Sequence, residues 1–308
     1  MISPETVRKL KRLKARKVFV QIPEGLKMKA LEISGFLESK GFEAVLSAEP
    51  CFGACDLKDH EARMLGCDAI LHIGHTDFGI ASTVPVVYDE WTSDFDPVTV
   101  LRKHTRELEK HDSIGLLATA QHLASLGKVR EFLEREGKRV LVGKGMNVEE
   151  GQVLGCNYSS AKAVEKDADC FVFIVSGNFH LAGLAGRTGK TIFSVDAESG
   201  GFGRFAIDLK KEEVKRQLRI EKARHLRKFG IYVSTKPGQT DMAAAVKAKQ
   251  HLEKKGKKAI VISADMLTPE KIMGIGLEAL VNTACPRIYE DQELFRIPVL
   301  SPGDMKEI

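Results

Sequence analysis

Three times along the chain one order of patterns returns: a run of apolar and β-branched residues that reads as a buried strand, a break, a helix, then further short strands. The first run, Lys17-Val18-Phe19-Val20-Gln21-Ile22, stops at Pro23-Glu24-Gly25-Leu26. The helix predicted from about Lys27 to Lys40 carries Met28, Leu31, Ile33, Phe36 and Leu37 and ends at Gly41. Ser113 to Ala118 begins the second copy, followed by a helix from Leu123 to Glu136. The third opens with a charged helix, Lys211 to Lys228, before the strand Gly230 to Ser234 and a helix from Asp241 to Lys255. Strands alternating with helices predict parallel sheets, and units of about 95 to 115 residues predict an internal triplication. The expected fold class is α/β: three similar small parallel-sheet domains, at residues 1–96, 97–204 and 205–308, around a pseudo-threefold axis. No linker rich in Gly, Ser or Pro separates them, so they are expected to pack together.

A length of 308 residues exceeds what one core usually supports, in keeping with several domains. No apolar run approaches the ~20 residues that span a bilayer. The basic N-terminus, Lys9 to Lys17, is not followed by an apolar segment with a cleavage site, so a cytoplasmic location without membrane contact is expected. The net charge of +5 reads either as a solvated surface with a mild excess of lysine or as attraction to an acidic or RNA-associated partner. Direct nucleic-acid binding is not expected. The helix Lys211 to Lys228 carries the same two readings, solvated face or partner contact.

Six cysteines are too few for a disulfide scaffold, and in a reducing compartment loop thiols more often bind metals or react. Three of them sit just past apolar runs among turn-forming residues: Cys55 in Gly53-Ala54-Cys55-Asp56, Cys156 in Leu154-Gly155-Cys156-Asn157, and Cys285 in Thr283-Ala284-Cys285-Pro286. Cys67 and Cys170 lead into strands and read as core residues. Cys55 and Cys156 follow the second strand of their units and Cys285 the third, so any threefold relation is imperfect. Ligands of parallel sheets gather beyond the carboxyl ends of strands. Cysteines 101 and 129 residues apart would then form a site built by tertiary structure. Three thiolates leave one coordination position open, which suits catalytic zinc or a 4Fe-4S cluster with one unshielded iron. Cys51 makes Cys-x3-Cys with Cys55, but no third cysteine follows at the spacing of radical S-adenosylmethionine enzymes, so Cys51 is read as a neighbour.

Five ordered segments carry a resemblance. Gln21-Ile22-Pro23-Glu24-Gly25-Leu26-Lys27, Phe52-Gly53-Ala54-Cys55-Asp56, His72-Ile73-Gly74-His75, Leu154-Gly155-Cys156-Asn157 and Cys285-Pro286-Arg287-Ile288 together resemble the archaeal 2-(3-amino-3-carboxypropyl)histidine synthase family, the first enzymes of diphthamide biosynthesis. Ala284 stands where many members carry glycine. The resemblance implies a homodimer of three-domain subunits with a 4Fe-4S cluster held by Cys55, Cys156 and Cys285. It further implies that S-adenosylmethionine binds the open iron. One electron from a donor the sequence does not identify then breaks the Cγ–S bond, giving methylthioadenosine and a 3-amino-3-carboxypropyl radical. That radical adds to the imidazole carbon between the two nitrogens of a histidine on translation elongation factor 2.

Strand-end positions Gln21, Glu24, His75, Thr76, Thr235, Gln239 and Arg287 are the candidate contacts to the cofactor. Arg287 suits its carboxylate, and Glu24 or Gln239 its amine or ribose; each also reads as a turn or capping residue, and His75 as a loop histidine. Glu198-Ser199-Gly200-Gly201-Phe202-Gly203 lacks a nucleotide fingerprint and reads as a domain junction. Two rival readings stay open: a quinolinate-synthase-like 4Fe-4S dehydratase, and a non-catalytic zinc-binding scaffold.

Overall fold

Thirteen strands form three sheets among the described residues, 2–289 and 292–308, of the computed structural model. In the first, β1 (Lys17–Gln21), β2 (Glu43–Leu46), β3 (Ala69–Ile73) and β4 (Val86–Asp89) lie in the order β2-β1-β3-β4, all parallel. The second holds β5 (Ser113–Ala118), β6 (Arg139–Leu141), β7 (Cys170–Val175), β8 (Thr191–Asp196) and β9 (Gly201–Phe205), ordered β6-β5-β7-β8-β9. The third repeats the first: β10 (Lys228–Ser234), β11 (Lys258–Ala264), β12 (Ala279–Asn282) and β13 (Val299–Leu300) run β11-β10-β12-β13, all parallel. The expected α/β class and the triplicated strand order are both observed.

Parallel neighbours require a crossover, and a helix supplies it in each repeat. Helix Ala30–Ser39 sets Ile33 and Leu37 on Val18 and Val20. Leu126–Arg135 sets Val129 and Leu133 on Ile114 and Leu116. Met242–Lys254 sets Ala245, Ala248 and Leu252 on Phe229, Ile231 and Val233. Each helix ends in a left-handed glycine, Gly41, Gly137 and Gly256, with φ of 88°, 78° and 75°. Only glycine takes that conformation without strain, so the same residue closes all three.

A second device also recurs. The carboxylate just before the third strand of each repeat accepts two backbone N–H groups at the start of the first strand. Asp68 takes Arg16 and Lys17 at 2.7 and 2.9 Å, Asp169 takes Asp112 and Ser113 at 2.9 and 2.8 Å, and Glu278 takes Arg227 and Lys228 at 2.7 and 3.1 Å. These backbone donors, led by Lys17, Ser113 and Arg227 respectively, hold all three carboxyls below their usual range. A lowered folded-state pKa gives stability that is fully present above the unfolded value of about 4 and lost as pH falls through the folded one. The urea midpoint is therefore expected to drop between pH 5 and pH 3, and the combined Asp68→Asn, Asp169→Asn, Glu278→Gln variant to show a flatter pH profile.

Three details differ from the sequence-based expectations. The Gly-rich segment after β8 is a hairpin, in which Gly200 at φ 66° turns the chain and β9 pairs antiparallel with β8. Phe202 stacks on Phe193 at 5.5 Å, so the hairpin is held by apolar contact. The first predicted helix begins as a 3-10 segment, Glu24–Lys29, before turning α at Ala30. Helix Phe179–Ala185 was not anticipated.

The chain divides into two compact units, Met1–Ile207 and Asp208–Ile308. The first contains two sheets, joined where Ser93 N–H donates to Gln121 O (2.9 Å) and the Gln121 amide to Gly74 O (2.6 Å). In the second, a charged helix is present at Leu209–Arg224; it ends short of the expected Lys228, which instead opens β10. Its charges pair largely within the unit, Arg216 binding Glu213, Asp304 and Glu307. No helix among the described residues is long and apolar enough to cross a membrane.

Candidate functional site

Each candidate cysteine stands on a loop at the carboxyl end of a strand, and each loop is fixed by a side-chain amide. After β2, the loop carrying Cys55 is held by Gln21 at the end of β1, buried at 1% exposure. Its amide nitrogen donates to Asp56 O at 2.8 Å, and its oxygen accepts from Lys58 N–H at 3.0 Å. Asp56 N–H closes a turn onto Gly53 O, and the Asp56 and Lys58 side chains form an ion pair at 3.1 Å with 0% and 4% exposure. Ser82, Thr83 and Val84 donate to Asp59, the next carboxylate along. Burial alone would raise the Asp59 pKa, but these donors outweigh it and lower it.

Cys156 lies in a tight turn where Leu154 and Asn157 exchange backbone hydrogen bonds. Asn157 donates to Met146 O and accepts from Ser159, at the start of helix Ser159–Val164. A Cβ at Gly155 would overlap the Phe179 ring, which would have to move to admit it. Cys285 follows β12. Its carbonyl receives the Asn282 amide (2.8 Å) and Ile288 N–H (3.3 Å), which starts the 3-10 turn Pro286–Tyr289.

Exposure separates these thiols from the others. Cys156 is exposed and Cys55 and Cys285 are partly exposed, whereas Cys51, Cys67 and Cys170 are buried. Burial pushes the Cys170 thiol up to about 12 and raises that of Cys67, leaving both inert as nucleophiles or ligands.

The remaining candidates sort differently. Thr76 is buried and accepts from the Gln152 amide at 2.7 Å, while Gln152 accepts from Glu149 N–H at 2.8 Å. Sequence reasoning missed Gln152; its partner lies 76 residues away and no local pattern marks it. Removing it strands a buried hydroxyl, so Gln152→Leu is expected to cost about 1–3 kcal/mol in urea unfolding. Gln21 and Thr76 thus spend their polar groups on the loops. His75 Nδ1 meets His72 Nε2 at 3.1 Å. Burial lowers the pKa of His75 to about 4; burial and then the His75 charge lower that of His72 to about 3. Glu24 is exposed and pairs with Lys27 at 2.7 Å. Thr235 is exposed at the end of β10, Gln239 is partly exposed in the 3-10 turn Pro237–Gln239, and Arg287 is partly exposed beside Cys285.

Residues 22–307 match the diphthamide synthesis protein family. The chain belongs to that family. This diphthamide synthesis protein is 38% identical over 306 residues to 2-(3-amino-3-carboxypropyl)histidine synthase of Pyrococcus horikoshii, covering 98% of this chain and 88% of the relative. It is 28% identical to subunit 1 of the enzyme of that name in Eremothecium gossypii, covering 97% and 72%. Its structure is similar to the crystal structure of Dph2 from P. horikoshii, with a TM-score of 0.90 over 99% of this chain and 91% of the other. A second crystal structure of that Dph2, described with a 4Fe-4S cluster, matches with a TM-score of 0.89 at 38% identity over 98% and 88%. In this chain each of the three accessible thiols stands on its own strand-end loop, and thiolates are the ligands that such clusters take.

Proposed function

We propose that this chain is a 2-(3-amino-3-carboxypropyl)histidine synthase acting at the first step of diphthamide biosynthesis. It transfers the 3-amino-3-carboxypropyl group of S-adenosylmethionine to the imidazole carbon between the two nitrogens of a histidine on translation elongation factor 2, and releases methylthioadenosine. The observation that carries this reading is the placement of three accessible thiols on strand-end loops, one per repeat, in a chain so similar to the P. horikoshii enzyme.

Cys55, Cys156 and Cys285 would hold a 4Fe-4S cluster. When bound, the cluster supplies one electron and an iron position open to S-adenosylmethionine. The protein's own contribution is positioning, because orientation of the co-substrate decides which carbon–sulfur bond breaks. Gln21, Asn157 and Asn282 fix the cysteine loops. Arg287 takes the co-substrate carboxylate as a planar fork, and Glu24, Thr235 and Gln239 supply polar groups for its amine and ribose. Thr76 holds the Gln152 amide, and His75 stands against His72. The working enzyme is a cytoplasmic homodimer served by a separate electron donor.

The nucleoside product tests the bond assignment. Anaerobically reconstituted, dithionite-reduced protein given S-adenosylmethionine and the elongation factor is expected to release methylthioadenosine. Release of 5'-deoxyadenosine would mean that the other carbon–sulfur bond is cut, and turnover of neither kind would favour the dehydratase.

A further inference from the structure

Beside the Cys55 loop, a second set of ligand atoms converges inside the first repeat. Cys51 Sγ, His72 Nε2 and His75 Nδ1 all lie within 4.8 Å of one another. His72 Nε2 is 3.6 Å from the sulfur and 3.1 Å from the His75 nitrogen. The fold forces this meeting. His72 sits at 0% exposure in β3, paired with Gln21 of β1 on one side and Tyr88 of β4 on the other. Gly74, at φ 80°, then turns the chain so that His75 comes back over His72.

Hydrogen bonding uses only one of the two contacts of His72 Nε2 at a time. One ring nitrogen holds either a single proton or a single lone pair, so His72 Nε2 makes one good hydrogen bond at a time, yet it faces two polar atoms. Gln21 adds to the mismatch: Lys58 N–H fixes its oxygen, which turns its amide N–H toward the Cys51 sulfur at 4.0 Å and asks that sulfur to accept. A cation placed among the three atoms would take a lone pair from each in place of a hydrogen bond shared between them.

The spacing agrees with this. Tetrahedral zinc with bonds of about 2.0 Å to nitrogen and 2.3 Å to sulfur separates two nitrogens by roughly 3.3 Å and a nitrogen from sulfur by roughly 3.5 Å. The third edge, from Cys51 to His75, is within 4.8 Å and closes by rotation of the partly exposed His75. Imidazole and thiolate together select a borderline-soft divalent ion over magnesium or calcium. Tyr88 stands beside the His72 ring, centroids 5.4 Å apart. Its hydroxyl makes no hydrogen bond among the described residues and is available to a water in the fourth position.

We propose that Cys51, His72 and His75 bind one divalent transition-metal ion, separate from the group held by Cys55, Cys156 and Cys285. The ion ties the loop that begins at Cys51 to the end of β3, and so fixes the stem of the Cys55 loop. In that role His75 serves this ion and not S-adenosylmethionine.

The test uses zinc on the full-length, anaerobically reconstituted protein and does not depend on activity. One equivalent of Zn2+ is expected to bind per chain, with a zinc-edge X-ray absorption spectrum of one sulfur and two imidazole nitrogens. His75→Gln is expected to weaken zinc binding by more than about a hundredfold, beyond the range for loss of an outer-shell partner. Cys51→Ser is expected to remove the sulfur shell, and Cys55→Ala to leave it. Failure to retain zinc at one equivalent overturns the proposal. So does a shell of two or three sulfurs that is lost in Cys55→Ala, which places the zinc on the other thiols. His75→Gln decides the matter if Cys51→Ser does not fold. An inactive preparation with the one-sulfur spectrum counts only against the transferase reading.

Discussion

Cys156→Ala is expected to give a folded protein that retains almost no iron or labile sulfide after anaerobic reconstitution and forms methylthioadenosine at least about 10³-fold more slowly, a loss of about 4 kcal/mol in transition-state stabilisation. Cys156 is the sharpest of the three tests because its side chain is the most exposed, so its removal leaves no cavity. Its loop is held by Asn157, Ser159 and the Tyr158 hydroxyl on Gly155 O, none of which needs the thiol. An unchanged thermal midpoint with lost brown colour would assign the defect to ligation. Full iron content in the variant would remove Cys156 from the ligand set. Cys55→Ala and Cys285→Ala are expected to behave alike, whereas Cys67→Ala, in a buried strand-side position, is expected to lower stability and spare the cluster.

The second large effect concerns Lys58. Its ammonium and the Asp56 carboxylate are 3.1 Å apart and almost wholly buried. Lys58→Met leaves the carboxylate in the interior without that charge, and breaking a buried pair from one side costs about 3–5 kcal/mol. An exposed pair such as Lys9 with Glu5 contributes only ~0.2–1 kcal/mol by comparison. Asp56 is next to Cys55, so the variant is expected to lose cluster content along with its urea midpoint. Adding Asp56→Asn to Lys58→Met removes the buried charge and is expected to restore most of the stability. If Lys58→Met alone unfolds at the wild-type midpoint, the pair does not anchor the loop.

Much of this architecture is legible because parallel strands covered on both faces must be apolar throughout, as in Cys170 to Val175, and such runs stand out between glycines. The cysteine loops were legible for a related reason: polar turn residues immediately after those runs mark the carboxyl ends of strands. The hairpin after β8 was not, because Gly200 and Gly201 serve a tight turn and a linker equally well, and only the packing of Phe202 on Phe193 decides between them. Polar residues at strand ends were ambiguous in the same way. Nothing in the sequence near Gln21 or Thr76 says that the first turns to the Cys55 loop and the second to Gln152. Cys51, on the loop after β2, and His72 of β3, 21 residues apart, are brought together by the sheet order β2-β1-β3, which local spacing does not reveal.

The central claim, transfer to a histidine of the elongation factor, is tested most directly by the factor's own mass. Archaeal elongation factor 2 is incubated anaerobically with the reduced, cluster-loaded protein and S-adenosylmethionine, then measured intact and after proteolysis. The account predicts a gain of one 3-amino-3-carboxypropyl group on a single histidine, absent when Cys156→Ala replaces the native chain. An unmodified factor, recovered from protein with an intact cluster and bound S-adenosylmethionine, would contradict it.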